Sequence, residues 1–270
     1  MKGVRGDGRS ALSHQAEAIS RAYGRGAVVE PMALVARGEQ GRVWRLATAD
    51  GTYAVKELLI RQTPADAAAD VAYQEAVLAT GSVPLPTPVR GFGGQVLLDV
   101  AGRQVRLYEW VDLLPTDTRL DPAMVGATLA AIHRVHYAPA RPLHPWYTEP
   151  VGPARWAELL GRAQAAAAPF VDALAEEIPV LLRLEGLMEP PTDLQNCHRD
   201  LWADNVLPTS IGGVCVIDWE NCGLEDPAQE LPMSFVDFGA GDPHRIARLY
   251  RSYLDAGGPA RVHGYGSSRW

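Results

Sequence analysis

The residues whose types and spacing could do chemistry are Asp200, Asn205 and Asp218. The first two lie in His198-Arg199-Asp200-Leu201-Trp202-Ala203-Asp204-Asn205-Val206-Leu207, and the third follows the apolar run Val214 to Ile217. A carboxylate in a short polar turn can orient a hydroxyl and accept its proton. An Asn amide and a second carboxylate offer hard oxygen ligands of the kind that hold Mg²⁺ against phosphates. That chemistry is phosphoryl transfer, with Asp200 as the base and Asn205 and Asp218 as metal ligands. Each residue taken singly is as readily a turn former. Together, with apolar strand on the correct side of each, they ask for a site.

A cation belongs opposite such a site. The chain has 25 basic residues, yet its lysines are Lys2 and Lys56 alone, and Lys56 sits in an apolar strand. An ammonium is a compact point charge that can reach phosphate oxygens. On the helix that follows, Val71, Glu75 and Leu78 share a face. An acid in an apolar stripe needs a partner, and Lys56 is the cation available to Glu75.

The elements that must position these groups read as follows. Residues 1–10 are Gly- and Arg-rich and expected to be disordered. Leu12, Ala16, Ile19 and Tyr23 recur at helical spacing, closed by Gly24. Strands are expected over Val28 to Ala36, Arg42 to Ala47 and Thr52 to Ile60, separated by Gly38-Glu39-Gln40-Gly41 and Asp50-Gly51. Thr63-Pro64 starts a helix to about Thr80. Val89 to Phe92, Gln95 to Val100 and Gln104 to Glu109 complete a sheet of about five or six strands. Beyond the Glu109-Trp110-Val111-Asp112 linker the pattern turns helical: from Asp121-Pro122, from Trp156 to about Met188, from Asp226-Pro227 and from Asp242-Pro243. Strands first and helices second imply an α+β chain of two lobes: a sheet lobe over 11–112, a helical lobe over 113–256, and a loose tail over 257–270.

With these motifs in hand, the sequence resembles the aminoglycoside phosphotransferase family of small-molecule kinases, which share a two-lobed, protein-kinase-like fold. The resemblance covers roughly residues 28 to 255. It rests on His198 to Leu207, on Ile217-Asp218-Trp219-Glu220, and on Asp226-Pro227 with Glu230-Leu231; Ala54-Val55-Lys56 and the Glu109 linker carry it less strongly. It implies ATP and Mg²⁺ as cofactors, Asp200 as catalytic base, and Asn205 and Asp218 as Mg²⁺ ligands. It further implies that Lys56 touches the α- and β-phosphates while paired with Glu75, and that backbone at Glu109 to Val111 meets the adenine edge. His198 is then a brace of the loop, and Asp226 a helix cap that also steadies the metal segment. Gly38 and Gly41 are either a reduced phosphate loop or a plain hairpin turn. Only the eight residues 219–226 separate Asp218 from the next helix, too few for an activation loop. Arg199, where small-molecule kinases often carry glycine, is expected to make a structural salt bridge.

Charge bears on the acceptor. The net charge of −7 argues against a general nucleic-acid binder. No lysine or arginine lies between Arg199 and Arg245, while Glu220, Glu225, Glu230 and Asp237 do. A cleft lined by them would draw a polycationic acceptor; a solvated acidic face at helix N-termini is the competing reading. Trp202 and Trp219 could stack on a sugar or a cation, with core packing expected of at least one. The expected partner is a small acceptor bearing hydroxyl and amine groups, an aminoglycoside first among them. The alternatives are a metabolic kinase of choline, ethanolamine, thiamine, homoserine or fructosamine type, and a non-catalytic nucleotide-binding module. ATP versus GTP stays open. Cys197, Cys215 and Cys222 are read as buried fillers in a reducing cytoplasm, and neither a membrane span nor a signal peptide is expected.

Overall fold

The computed structural model describes residues 11–138 and 140–262; the decapeptide expected to be disordered lies outside them. A short 3₁₀ turn at Ala11–Gln15 leads into helix α1 (Ala16–Ala22), which buries Ala16 and Ile19 against the back of a six-stranded antiparallel sheet. The strands are β1 (Ala33–Arg37), β2 (Gly41–Thr48), β3 (Gly51–Leu58), β4 (Pro88–Val89), β5 (Leu98–Val100) and β6 (Arg103–Glu109). Their order is β1-β2-β3-β6-β4, with β5 also on β6. The first strand begins later than its apolar run, since Val28 makes only an isolated bridge to Thr48.

Alternation decides the two faces of the sheet. Trp44, Val55 and Leu107 go to the core shared with α1. Lys56 and Arg106 stand opposite each other in register and point the other way. Helix α2 (Pro64–Ala79), capped by the Thr63 hydroxyl on the Asp66 amide, crosses that second face. Its Tyr73 and Val77 belong to the core of the helical lobe, so α2 joins the lobes.

The helical lobe holds α3 (Pro122–His133), α4 (Gly152–Ala165), α5 (Val171–Glu185), α6 (Pro227–Gly239) and α7 (Pro243–Asp255). Asp-Pro starts α3, α6 and α7 alike: Asp121, Asp226 and Asp242 each accept a backbone amide two residues on. Helices α3 and α7 pack closely, because Gly126 lets the Leu249 carbonyl approach where a Cβ would stand 2.2 Å from it. Between α5 and α6 run the short ribbons β7 (Gln195–Cys197) with β10 (Gly223–Glu225), and β8 (Val206–Pro208) with β9 (Val214–Val216). The segment after 256 is not loose as far as 262: the Ala260 amide donates to the Tyr253 hydroxyl and the Val262 amide to that of Tyr250. All three cysteines are free and buried.

Candidate active site

The turn from His198 to Asn205 joins β7 to β8, and the β8–β9 ribbon returns the chain to Asp218. His198 is fully buried, donates from Nε2 to the Ile217 carbonyl at 2.8 Å, and lies edge-on to Trp219. Burial lowers its pKa, so it braces the two segments as a neutral ring. Asn205 closes the turn: its Nδ2 donates to both the Asp200 carbonyl and Asp200 Oδ2 at 2.9 Å, and its carbonyl accepts the Ile217 amide. Burial, and less strongly the nearby Asp218 and Glu230, raise the Asp200 pKa, although the Asn205 bond opposes them. Asp218 stands in the left-handed region, φ 64°. A non-glycine residue held there is strained by about 1–2 kcal/mol, a feature that gathers at functional sites.

Lys56 crosses from the sheet to meet Asp218 Oδ1 at 2.6 Å and Glu220 Oε2 at 2.7 Å. Burial pushes its pKa down, but Glu220 and Asp218 outweigh this and the ammonium is held charged. Glu220 is buried too, yet Lys56 and Arg106 hold its carboxyl down to about 2. Glu75 is not the lysine's partner. It is half-exposed and takes a bidentate pair with Arg90, 2.7 Å at the shorter contact. The polar positions that α2 turns inward are Asp70 and Gln74.

Sequence reasoning missed what lies behind Lys56. Arg106, 1% exposed, pairs with the fully buried Asp70 at 2.8 Å and stands 3.6 Å from Glu220. Arg141 reaches the same Asp70 and donates to the Cys222 carbonyl at 2.7 Å. A sheet strand, α2, the segment after α3 and the segment after Asp218 are thus tied through one carboxylate. The signal available was Gln104, Arg106 and Tyr108 alternating with Val105 and Leu107, a polar inward face on a central strand. Arg106 and Arg141 lie 36 and 71 residues from the Asp70 they share, and left no trace in spacing.

Between the lobes lies a cavity of about 530 Å³. Ala36, Val43 and Ala54 line it from the sheet, Leu207 and Ile217 from the helical lobe, and Glu109 to Val111 at the connection; Lys56 and Asp218 border it as well. The Glu109 and Trp110 amides are spent on Thr87 and Thr52 carbonyls. Gly38 and Gly41 do not line it. The Gly38 amide donates to the Gly41 carbonyl, so the turn closes as a plain hairpin, and Gly41 lies against the stem of Lys56.

Three of the four acids expected to face the acceptor are occupied elsewhere. Glu220 holds Lys56; Glu230 accepts from His133 and from the Arg199 amide; Asp237 accepts the Ala203 amide at 2.9 Å. Glu225 is buried with Oε2 unpartnered, and burial pushes its pKa up to about 9. Trp219 is core, whereas Trp202 is 44% exposed. Arg199 makes carbonyl contacts and a ring contact instead of a salt bridge. Asp226 caps α6, but its other oxygen steadies Thr192 and Asp193 and leaves the metal segment alone.

An antiparallel sheet over a helical lobe, with a charged cleft between, defines the protein-kinase-like small-molecule kinases as a class. The chain belongs to the phosphotransferase enzyme family, whose model matches residues 32–265. It is 29% identical to a homoserine kinase of Granulibacter bethesdensis over 178 residues, 64% of this chain and 53% of that one. It therefore spans about half the length of that curated relative. Among solved structures, a spectinomycin phosphotransferase bound to ADP and spectinomycin superposes with a TM-score of 0.70 at 15% identity, covering 94% of this chain and 82% of that one. An amicoumacin kinase in complex with AMP-PNP, Ca²⁺ and Ami gives a TM-score of 0.61 at 15% identity, covering 93% of this chain and 77% of that one. Among the described residues, no helix is long and apolar enough to cross a membrane.

Proposed function

We propose that the chain transfers the terminal phosphoryl group of ATP to a hydroxyl of a small amine-bearing molecule in the cytoplasm. The observation that carries this reading is the meeting of Lys56 with Asp218 at the border of a cavity that also reaches Glu109 to Val111, with Asp200 and Asn205 on the adjoining turn. The apolar faces of the cavity suit a flat base, and the Glu109 carbonyl and Val111 amide are the edge groups left for it. The connection at 109–113 is then the hinge between a nucleotide lobe and an acceptor lobe.

Asp200 accepts the acceptor's proton as its oxygen attacks the γ-phosphorus and the bond to the β-bridging oxygen breaks. Its raised pKa makes it the stronger base. Asp218 and the Asn205 amide oxygen form a hard donor set that fits Mg²⁺. That ion, when bound, would neutralise charge on the phosphates. Lys56 faces the same phosphates; Glu220, in the place expected of Glu75, keeps it charged and aimed.

For the acceptor, the polycation argument loses Glu220, Glu230 and Asp237. A small amino alcohol is the first reading, supported by the likeness to homoserine kinase. An aminoglycoside is the second, favoured by the agreement in fold with spectinomycin phosphotransferase. Trp202, exposed beside Asp200, is the aromatic surface either would meet. Phosphate transfer from ATP to homoserine, ethanolamine and spectinomycin is the test. Turnover of one names the class, and no transfer to any amine-bearing alcohol in a wider panel sinks the reading.

A further inference from the structure

Arg199, directly before the proposed base, has a φ of 66°, a conformation that glycine adopts freely and arginine does not. Its surroundings hold it there from several sides. The amide donates to the Glu230 carboxylate, and the carbonyl accepts from Asn221 Nδ2 at 3.1 Å. Nε donates to the Asn221 carbonyl at 2.6 Å, and one terminal nitrogen to the Cys222 carbonyl at 3.3 Å. The guanidinium lies 4.1 Å over the Tyr147 ring, whose hydroxyl donates to Asn221 Oδ1 at 2.9 Å. The guanidinium also lies against Gly223, where a Cβ would stand 2.8 Å from its carbon and the arginine would have to shift.

Asn221 ends the 3₁₀ turn Trp219–Asn221 that starts immediately after Asp218. The contacts therefore fasten the segment carrying Asp200 to the segment carrying Asp218. We propose that Arg199 is a positioning residue, which with Asn221 and Tyr147 fixes the Asp200 carboxylate relative to Asp218. This rests on the phosphotransfer reading given above. A residue that only filled space here would be replaced by glycine at no cost, because glycine relieves the backbone. A clamp would not, since reacting groups misplaced by about 1 Å lose roughly a hundredfold in rate.

The test compares the full chain with Arg199→Gly, Arg199→Lys and Tyr147→Phe. In the absence of any substrate, amide hydrogen exchange over residues 198–205 is expected to quicken roughly tenfold in Arg199→Gly with Tm unchanged. With an acceptor the wild type phosphorylates, kcat is expected to fall roughly 10- to 100-fold while KM for ATP stays within about twofold. Arg199→Lys should not rescue it, as one ammonium cannot serve two carbonyls and stack on a ring. Tyr147→Phe keeps the ring but loses the bond to Asn221, and its kcat should fall less than that of Arg199→Gly. Unchanged exchange, or faster exchange with unchanged kcat, overturns the proposal. If Arg199→Gly does not fold, Asn221→Ala removes the seat and is judged by the same two readouts. Exchange needs no turnover, so a wild type without kinase activity would sink the functional reading while exchange still decides on the clamp.

Discussion

Two regions of the molecule are held by opposite means. Around the cavity, Lys56, Glu220, Arg106 and Asp70 are largely taken out of water and paired with one another across four elements of the fold. Elsewhere in the helical lobe, α4 and α5 bury no residue at all and pack chiefly on each other. One carboxylate joins them: Glu185 at the end of α5 accepts the Val151 and Gly152 amides and the Trp156 indole. Buried ions repay their desolvation only in good geometry, so the first region has one arrangement available to it. The second is an apolar hairpin with Val180, Leu184 and Leu187 left at its surface.

The largest effect expected is at the chemistry. Asp200→Ala should lower phosphoryl transfer by about 10²–10⁴-fold while ATP still binds, as followed by transfer assay and titration calorimetry. Retained turnover would remove Asp200 from the mechanism. Next comes the buried region itself. Asp70→Ala leaves Arg106 without its closest carboxylate and should cost about 3–5 kcal/mol in denaturant unfolding. A loss under about 1 kcal/mol would mean that water or Glu220 replaces Asp70, and that this region is no stiffer than the other.

Glu220 and Glu75 sharpen the contrast further. Glu220→Ala should raise KM for ATP and cut kcat by roughly tenfold or more, because Lys56 loses the acid that aims it. Glu75→Ala, which breaks only an exposed pair with Arg90, should leave kinetics within about twofold and stability within about 1 kcal/mol. The reverse ranking would restore the helix glutamate as the lysine's partner and undo the assignment of Glu220.

Those two acids also show where sequence stops being legible. The Asp-Pro caps, the Thr63 cap and the β7-to-β9 turn were all readable, because each depends on neighbours within a few residues. Lys56 was readable by composition. Its partner was not: the acids of α2 nearest in sequence turn elsewhere, Asp70 to Arg106 and Glu75 to Arg90, and Glu220 lies 164 residues away. Alternation marked Arg106 as inward-facing without saying toward what. Counting acids after Arg199 suggested an acidic cleft; only the three-dimensional contacts reveal that Glu230 and Asp237 bond the backbone of the 198–205 turn.

Glu225 gives a smaller, pH-dependent effect. Burial favours its neutral form, with a folded pKa of about 9 against 4.5 for the free group. Between those values the folded chain holds the proton and the unfolded chain does not. Stability from this group is therefore full below the lower value and lost as pH rises toward the upper one. Glu225→Gln, neutral at every pH, should match wild type near pH 5 and exceed it near pH 8 by about 1–2 kcal/mol, or about 2–6 °C in Tm. An equal Tm difference at both pH values would mean the carboxyl is ionised in the fold.

The smallest effect is expected at Leu184, 56% exposed on α5. Leu184→Gln removes apolar surface that already meets water, so thermal unfolding should move by no more than about 0.5 kcal/mol. It lies outside the stripe of Leu174, Ile178, Leu181 and Leu182, which are only partly exposed. A cost above about 2 kcal/mol is what burying a leucine side chain would give. That would mean the hairpin packs on the body of the helical lobe, and the contrast between the ion-paired region at the cavity and a loosely held α4–α5 hairpin would fall with it.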